Sequence, residues 1–467
     1  MIRVLHGSST SYLAIAEARL ADMRAGGSWA QFVAARLRGA FTGETHLHAV
    51  LGNSAWLMLD RLLRMALALL VGSWVARHLG PVRYGELAYG LALMALWQVI
   101  GTLGIDSVLV RDVARQPLLV HRYLGTALRL RLASGAVCWT SAVLVTFVLE
   151  PRDTTTLVIV AVLGATLLFQ ASDVVDLWFQ SQIRSRTAVF PRLLAYCGGS
   201  VVKIVLILCD APVWAFASAL VVEMALTATA LALAYRSHRT SHVWSWDKGI
   251  AAALVRESWP FMLASLSVIV YMRIDQLVLR QLSNAHELGL YSAMLPFSQA
   301  WQMIPMTICA SVLPRLSILK ETDPSRYRYR VLQLFSGMFW LGLVVAALTA
   351  ALAPWLVGHL LGAAYADSVV ALRWHAFTNV FIFLGVAQSV TIVSDRTSRI
   401  ALARTLLGAA VSLVLNVLLA PRWGAIGAAW AALAAQFSAA VLSNAVLAPQ
   451  YLRLQVEAIW PFHAHPR

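Results

Sequence analysis

Long apolar runs alternate with short polar segments along most of the chain. A transmembrane helix needs about 20 mostly apolar residues, and twelve runs of this kind lie between residues 53 and 447. The predicted spans are 53–76, 85–108, 124–149, 157–179, 188–209, 212–235, 257–279, 288–313, 332–353, 368–393, 400–420 and 424–447. The pattern therefore predicts an all-α polytopic membrane protein with about twelve transmembrane helices.

The composition agrees with this prediction. Hydrophobic residues make up 60% of the chain and charged residues 13%, whereas soluble domains contain about 25% charged residues. A soluble fold is thereby excluded. The four cysteines lie in apolar runs without a CxxC spacing, so we expect no disulfide framework, no metal site and no cofactor.

The net charge of +15 is unevenly distributed. Lys and Arg are frequent in every second connecting segment, as at Arg111, Arg115 and Arg122, and rare in the intervening ones. Short cytoplasmic loops retain positive charge and exported loops do not. The distribution predicts a multi-pass membrane protein with both termini in the cytoplasm, and the lipid bilayer rather than nucleic acid as its surroundings.

Residues 1–49 precede the first span and lack the pattern of a signal peptide. Apolar residues between Trp29 and Phe41 fall near helical spacing, with arginines interleaved, which favours a cytoplasmic helix lying on the membrane surface. The alternative is a disordered extension or an over-long gene start.

The chain resembles itself at an offset of about 204 residues. The segment beginning at Val75 aligns with the segment beginning at Val278, so that Gly85 matches Gly289 and Trp97 matches Trp301. An even number of helices per copy makes the copies parallel. We expect two parallel six-helix halves around a central cavity. Their bounds are 50–236 and 257–447, with a cytoplasmic linker at 237–256 and a cytoplasmic tail at 448–467.

Several motifs are similar to those of a known family. The run ARHLGPVRYGELAYGLALMALWQVIGTLGIDSVLVRDVAR at residues 76–115, the run YMRIDQLVLRQL from Tyr271 with ELGLYSA from Glu287, and PRWGAIGAAWA from Pro421 resemble the Wzx-type oligosaccharide flippases. These belong to the polysaccharide export family within the multidrug/oligosaccharidyl-lipid/polysaccharide (MOP) exporter superfamily. The resemblance covers residues 50–447.

This resemblance implies that the chain moves undecaprenyl-pyrophosphate-linked oligosaccharide repeat units to the outer leaflet of the bacterial inner membrane for surface polysaccharide assembly. Possible partners are then a polysaccharide polymerase and a chain-length regulator. The alternative is a cation-coupled small-molecule or drug antiporter of the same superfamily. An enzymatic function is not expected, because the chain has no ATP-binding P-loop and only short loops.

Charged residues inside the predicted spans are candidates for function, because a charge at membrane depth needs a partner or a watery cavity. Arg61 and Arg64 share a helix face and could hold a pyrophosphate, although Asp60 could instead neutralise Arg64. On the seventh helix, Arg273 is the candidate for an anionic substrate. Asp275 on the same helix is a candidate for coupling.

Lys203 and Glu223 lie on neighbouring predicted helices, where we expect an interhelical ion pair. A proton or cation coupling site is the alternative. Further charges near the cytoplasmic helix ends are candidates for a gate latch: Arg129, Arg131, Asp173 and Asp176.

Overall fold

The computed structural model describes residues 29–182, 185–237, 243–394 and 398–459, with side chains from Arg61 onward apart from a few residues beside the gaps. The helical bundle begins at residue 60. Of the proposed amino-terminal extension, residues 1–28 lie outside the described part, and so do residues 460–467 of the tail. A helix is present from Trp29.

The described chain is helical throughout, because nearly every segment is an apolar run without a strand pattern. In order the helices are α1 Trp29–Gly101, α2 Asp106–Arg115, α3 Val120–Leu149, α4 Thr154–Phe169, α5 Asp173–Ser181, α6 Ser185–Leu208, α7 Val213–Ser237, α8 Lys248–Leu282, α9 Ala285–Gln299, α10 Met303–Thr322, α11 Pro324–Leu356, α12 Ser368–Ala376, α13 Thr378–Ser394, α14 Ser398–Phe437, α15 Ser443–Leu447 and α16 Pro449–Ile459.

Two of the helices contain a glycine at which the helix is interrupted, and each of these helices corresponds to two predicted spans. In the described residues, 10 segments are long and apolar enough to cross a membrane. Two of them, Arg61–Arg115 with 55 residues and Ile400–Leu447 with 48, are far longer than one crossing needs. Gly80 (φ 70°) interrupts the first and Gly424 (φ 50°) the second, in backbone conformations that favour glycine. Two passes in each long segment give the predicted number of about twelve.

The two glycines of the internal repeat lie where the two halves meet. A Cβ atom on Gly85 would lie 1.8 Å from the carbonyl oxygen of Ala285, and one on Gly289 would lie 1.8 Å from that of Pro81. The same offset of about 204 residues relates Pro81 to Ala285 and Gly85 to Gly289. The contact is therefore reciprocal, as expected of two copies related by a two-fold axis. Only glycine permits this approach of the two backbones.

Apolar side chains form separate cores in the two halves and a third cluster between them. Ile159 and Leu163 lie in the first half's core, and Phe335 and Phe383 in that of the second. The third cluster surrounds Tyr291. Other large apolar side chains face outward, as a lipid-contacting surface requires: Val137, Leu144 and Trp340 are examples.

Candidate functional site

A cluster of charged and aromatic side chains lies inside the first half. The Lys203 Nζ atom on α6 is 2.8 Å from Glu223 Oε2 on α7, and both side chains are largely buried. This is the predicted interhelical ion pair. Two cations lie over the Tyr196 ring, with the Arg64 guanidinium carbon 5.3 Å and Lys203 Nζ 5.7 Å from its centroid.

Glycine on α6 provides the space for this cluster. A Cβ atom on Gly199 would lie 2.7 Å from Glu223 Oε2, so the carboxylate packs directly on the helix backbone. Beside the cluster is a cavity of about 160 Å³ lined by Tyr84, Tyr196 and Lys203. Arg61, predicted to share a site with Arg64, is exposed.

The second half contains a larger polar cavity of about 360 Å³. Its lining combines amides and hydroxyls with a carboxylate, a guanidinium and an imidazole. The polar side chains concerned are Tyr271, Asp275, Gln299, Gln302, His375, Thr378, Ser389, Arg404, Thr405, Ser412 and Gln436.

Asp275 is buried in the wall of this cavity without a cationic partner among the described residues. Its Oδ1 atom accepts a hydrogen bond of 2.8 Å from the backbone N–H of Gln276, and its Oδ2 atom accepts one from the hydroxyl of Tyr291. The neighbouring Arg273 is not in the lining. It donates instead to Gln276 Oε1 over 3.3 Å, and its role as a candidate for binding an anionic substrate stays a prediction.

Arg404 is the cation that lines the cavity, and the sequence analysis missed it. Its Nη2 atom donates to the carbonyl oxygen of Gly385 over 2.9 Å. In the sequence Arg404 follows Arg396 and Arg399 and lies at the start of the predicted span 400–420. The signal that could have found it is the apolar run LARTLLGAA, which encloses Arg404 in the first turns of a helix.

Two of the four charges proposed for a latch have other partners in the structure. Buried Arg131 pairs with Asp106, and Asp176 lies 2.7 Å from Arg192 Nη1. Arg131 and Asp176 thus have partners outside the proposed latch, and the latch itself stays a prediction. Asp106 and Arg192 lie within the predicted spans 85–108 and 188–209, but the sequence did not indicate them as partners of these charges.

An ion cluster joins the two halves at the end of the bundle that holds Gly80, Glu150 and Asp153, here called the turn end. The Arg280 Nη2 atom lies 2.8 Å from Glu150 Oε2 and 2.8 Å from Asp153 Oδ2. The Arg280 guanidinium also lies over the Tyr89 ring.

The pKa values of the two carboxylates in this cluster are shifted in opposite directions. Burial raises the pKa of Glu150 above its ordinary value, against the lowering effect of Arg280. Burial also acts to raise the pKa of Asp153, but hydrogen bonds from Thr156 and the charge of Arg280 outweigh it, and the pKa is lowered.

The comparison with known proteins agrees with this architecture. A family model described as "Polysaccharide biosynthesis protein" matches residues 50–320. Among solved structures, an inward-facing multidrug resistance MATE transporter of the MOP superfamily superimposes with a TM-score of 0.65 at 16% identity, over 86% of this chain and 96% of that chain. The lipid II flippase MurJ in an inward closed conformation gives 0.64 at 11% identity, over 86% and 90%.

An outward-facing MATE transporter structure gives a TM-score of 0.57 at 18% identity, over 87% of this chain and 96% of that chain. No curated protein matches the sequence. The family model covers more than half of the chain, and the structural matches share its helical architecture. The chain therefore belongs to the polysaccharide biosynthesis protein family and has the fold of the MOP exporter superfamily.

Proposed function

We propose that the protein is a flippase that moves undecaprenyl-pyrophosphate-linked oligosaccharide repeat units across the bacterial inner membrane for assembly of a surface polysaccharide. The observation that carries this proposal is a polar, hydrogen-bonding cavity inside a membrane bundle of the polysaccharide biosynthesis family. A hydrophilic head group needs such an interior, because hydrocarbon cannot satisfy its hydroxyl and phosphate groups.

Alternating access supplies the mechanism. The contacts of Arg280 with Glu150 and Asp153 join the two halves at the turn end, and in the proposed mechanism they keep that end closed. We propose that both termini are cytoplasmic, so that the turn end faces outward and opens when the Arg280 contacts break.

In this mechanism the guanidinium of Arg64 contacts the substrate pyrophosphate on the first half's side, since guanidinium groups bind phosphate oxygens through paired hydrogen bonds. The prenyl tail remains in lipid. A polymerase and a chain-length regulator are the partners that such a flippase would serve. The role of the protein is transport, and no catalytic group is assigned.

The test is made in a strain that lacks the gene. We expect lipid-linked oligosaccharides to accumulate on the inner leaflet, where an impermeant sugar-modifying reagent cannot reach them, and the wild-type gene to reverse this. We expect Arg64→Ala to abolish polymer export and Arg64→Lys to restore part of it. Arg256→Ala changes an exposed arginine and serves as the control that exports normally.

A cation-coupled small-molecule antiporter is the second candidate, favoured by the similarity to the MATE transporter fold. If the deletion strain makes polymer without accumulating lipid-linked intermediates, the flippase proposal is wrong and the antiporter takes its place. Asp275 and the Lys203–Glu223 pair would then be the first positions to test as coupling sites.

A further inference from the structure

The second half's cavity contains two hydrogen-bond donors that have no partner in the protein. The Nη1 atom of Arg404 and the hydroxyl of Tyr271 are both buried, and neither makes a hydrogen bond. Both residues line the cavity. A buried donor without an acceptor costs about 1–3 kcal/mol, so two in one cavity indicate a place where a ligand supplies the acceptors.

The backbone places these two donors close together. Gly408 follows Arg404 by one turn of α14, and a Cβ atom there would lie 3.2 Å from the Tyr271 hydroxyl oxygen. The Tyr271 hydroxyl therefore lies over the helix face that also carries Arg404. On its other side Arg404 is anchored, because its Nη2 atom donates to the Gly385 carbonyl.

The same cavity also contains hydrogen-bond acceptors. Asp275 presents a carboxylate held in place by Gln276 and Tyr291. The side chains of Gln299, Gln302 and Gln436 add amides that both donate and accept. His375 is fixed by a hydrogen bond of 2.9 Å between its Nδ1 atom and Ser298 Oγ.

The charge balance and the mixture of groups select the class of ligand. One carboxylate and one guanidinium line the cavity, so a pyrophosphate would add several uncompensated negative charges. A lipophilic cation would leave the donors of Arg404 and Tyr271 without acceptors. The hydroxyl groups of an uncharged sugar both donate and accept, and they match the lining without changing its net charge.

We propose that this cavity binds an uncharged sugar residue of the transported glycan. Its assignment to the glycan rests on the proposed flippase function. The volume of about 360 Å³ falls within the range of small-molecule sites, about 300–1,000 Å³. Arg404 and Tyr271 donate to sugar oxygens, and Asp275 accepts from a sugar hydroxyl.

The test uses full-length protein in lipid nanodiscs and saturation-transfer NMR with the methyl glycosides of glucose, galactose, mannose and N-acetylglucosamine. We expect at least one glycoside to bind at millimolar concentration. Inorganic pyrophosphate and tetraphenylphosphonium should not displace it. Arg404→Gln should weaken binding about tenfold, because a charge-assisted hydrogen bond is lost.

Two tyrosine variants separate binding from folding. Tyr271→Phe removes a hydroxyl without a partner, so it should leave thermal stability unchanged or raised while weakening glycoside binding about threefold. Tyr365→Phe removes a hydroxyl that donates to the Ala76 carbonyl over 2.7 Å, away from the cavity. It should lower stability and leave glycoside binding unchanged.

The proposal is overturned if none of the four glycosides binds, if pyrophosphate or tetraphenylphosphonium displaces the bound glycoside, or if Tyr271→Phe binds as the wild type does. These outcomes are independent of the export assay. A strain that accumulates lipid-linked intermediates on deletion, with purified protein that binds no glycoside, refutes the sugar site and leaves the flippase function standing. Glycoside binding without such accumulation refutes the flippase instead.

Discussion

The buried charged side chains have different kinds of partner in the two halves of the molecule. In the first half Lys203 is 2.8 Å from Glu223, so charge is balanced by a direct ion pair. In the second half Arg404 has only a backbone carbonyl, and Asp275 has only a tyrosine hydroxyl and an N–H among the described residues. A repeated fold therefore holds one interior in which an ion pair lies beside Arg64, and another in which Arg404 Nη1 and the Tyr271 hydroxyl have no hydrogen-bond partner.

The largest effect is expected from removing one charge of the ion pair in the first half. Glu223→Ala leaves the buried Lys203 ammonium without its carboxylate, which should lower the free energy of unfolding by about 3–5 kcal/mol. A dye-based thermal unfolding assay on purified protein measures the change.

The double variant Lys203→Met, Glu223→Leu is the control, because it removes both charges together. It should recover most of the lost stability, as apolar replacements of buried ion pairs commonly do. A double variant as unstable as Glu223→Ala would show that the pair does more than neutralise its own charges, and would favour a coupling role.

The next effect tests whether the halves are equivalent where they meet. Gly85→Ala and Gly289→Ala should each lower the unfolding free energy by about 3 kcal/mol, because the new Cβ atom would strike a backbone carbonyl of the other half. Gly337→Ala is the matched control, since a Cβ atom there meets nothing within 4 Å. Strongly unequal costs at Gly85 and Gly289 would contradict the two-fold relationship.

Much of the fold could be predicted from the sequence. Apolar runs locate the helices, since each crossing must satisfy its own backbone within hydrocarbon. The aligned Gly85 and Gly289 indicated a repeat, but not that the two glycines contact each other's copy. That contact joins positions about 204 residues apart and depends on the packing of whole helices, which local patterns do not encode.

The interior sites were only partly predictable. Lys203 and Glu223 each stand alone in an apolar run on consecutive helices, so their pairing followed from the sequence. Arg404 and Arg280 lie near helix ends, where the sequence suggests loop charges. The packing of α14 and α8 brings these two arginines into contact with other parts of the bundle. The positions of charges along the chain do not reveal such contacts.

A smaller effect concerns the contacts of Arg280 that are proposed to close the turn end. Arg280→Gln removes the cation shared by Glu150 and Asp153 and should lower the unfolding free energy by about 1–2 kcal/mol, between the values for exposed and buried pairs. The same variant should increase labelling of Tyr84→Cys, beside the first cavity, by an impermeant thiol reagent added from outside the cell. Unchanged labelling would remove Arg280 from the gate.

The smallest effect is expected from replacing Asp275, the buried carboxylate of the second half. Asp275→Asn should change the unfolding free energy by less than about 1 kcal/mol, since the amide oxygen still accepts from the Gln276 N–H and the amide nitrogen donates to the Tyr291 hydroxyl. Asp275→Ala leaves both partners unsatisfied and should cost about 2 kcal/mol. If Asp275→Asn instead cost as much as Glu223→Ala, the charge of Asp275 would be needed to balance Arg404 across the cavity. The second interior would then be an ion pair held open for a ligand, and its difference from the first would be one of distance alone.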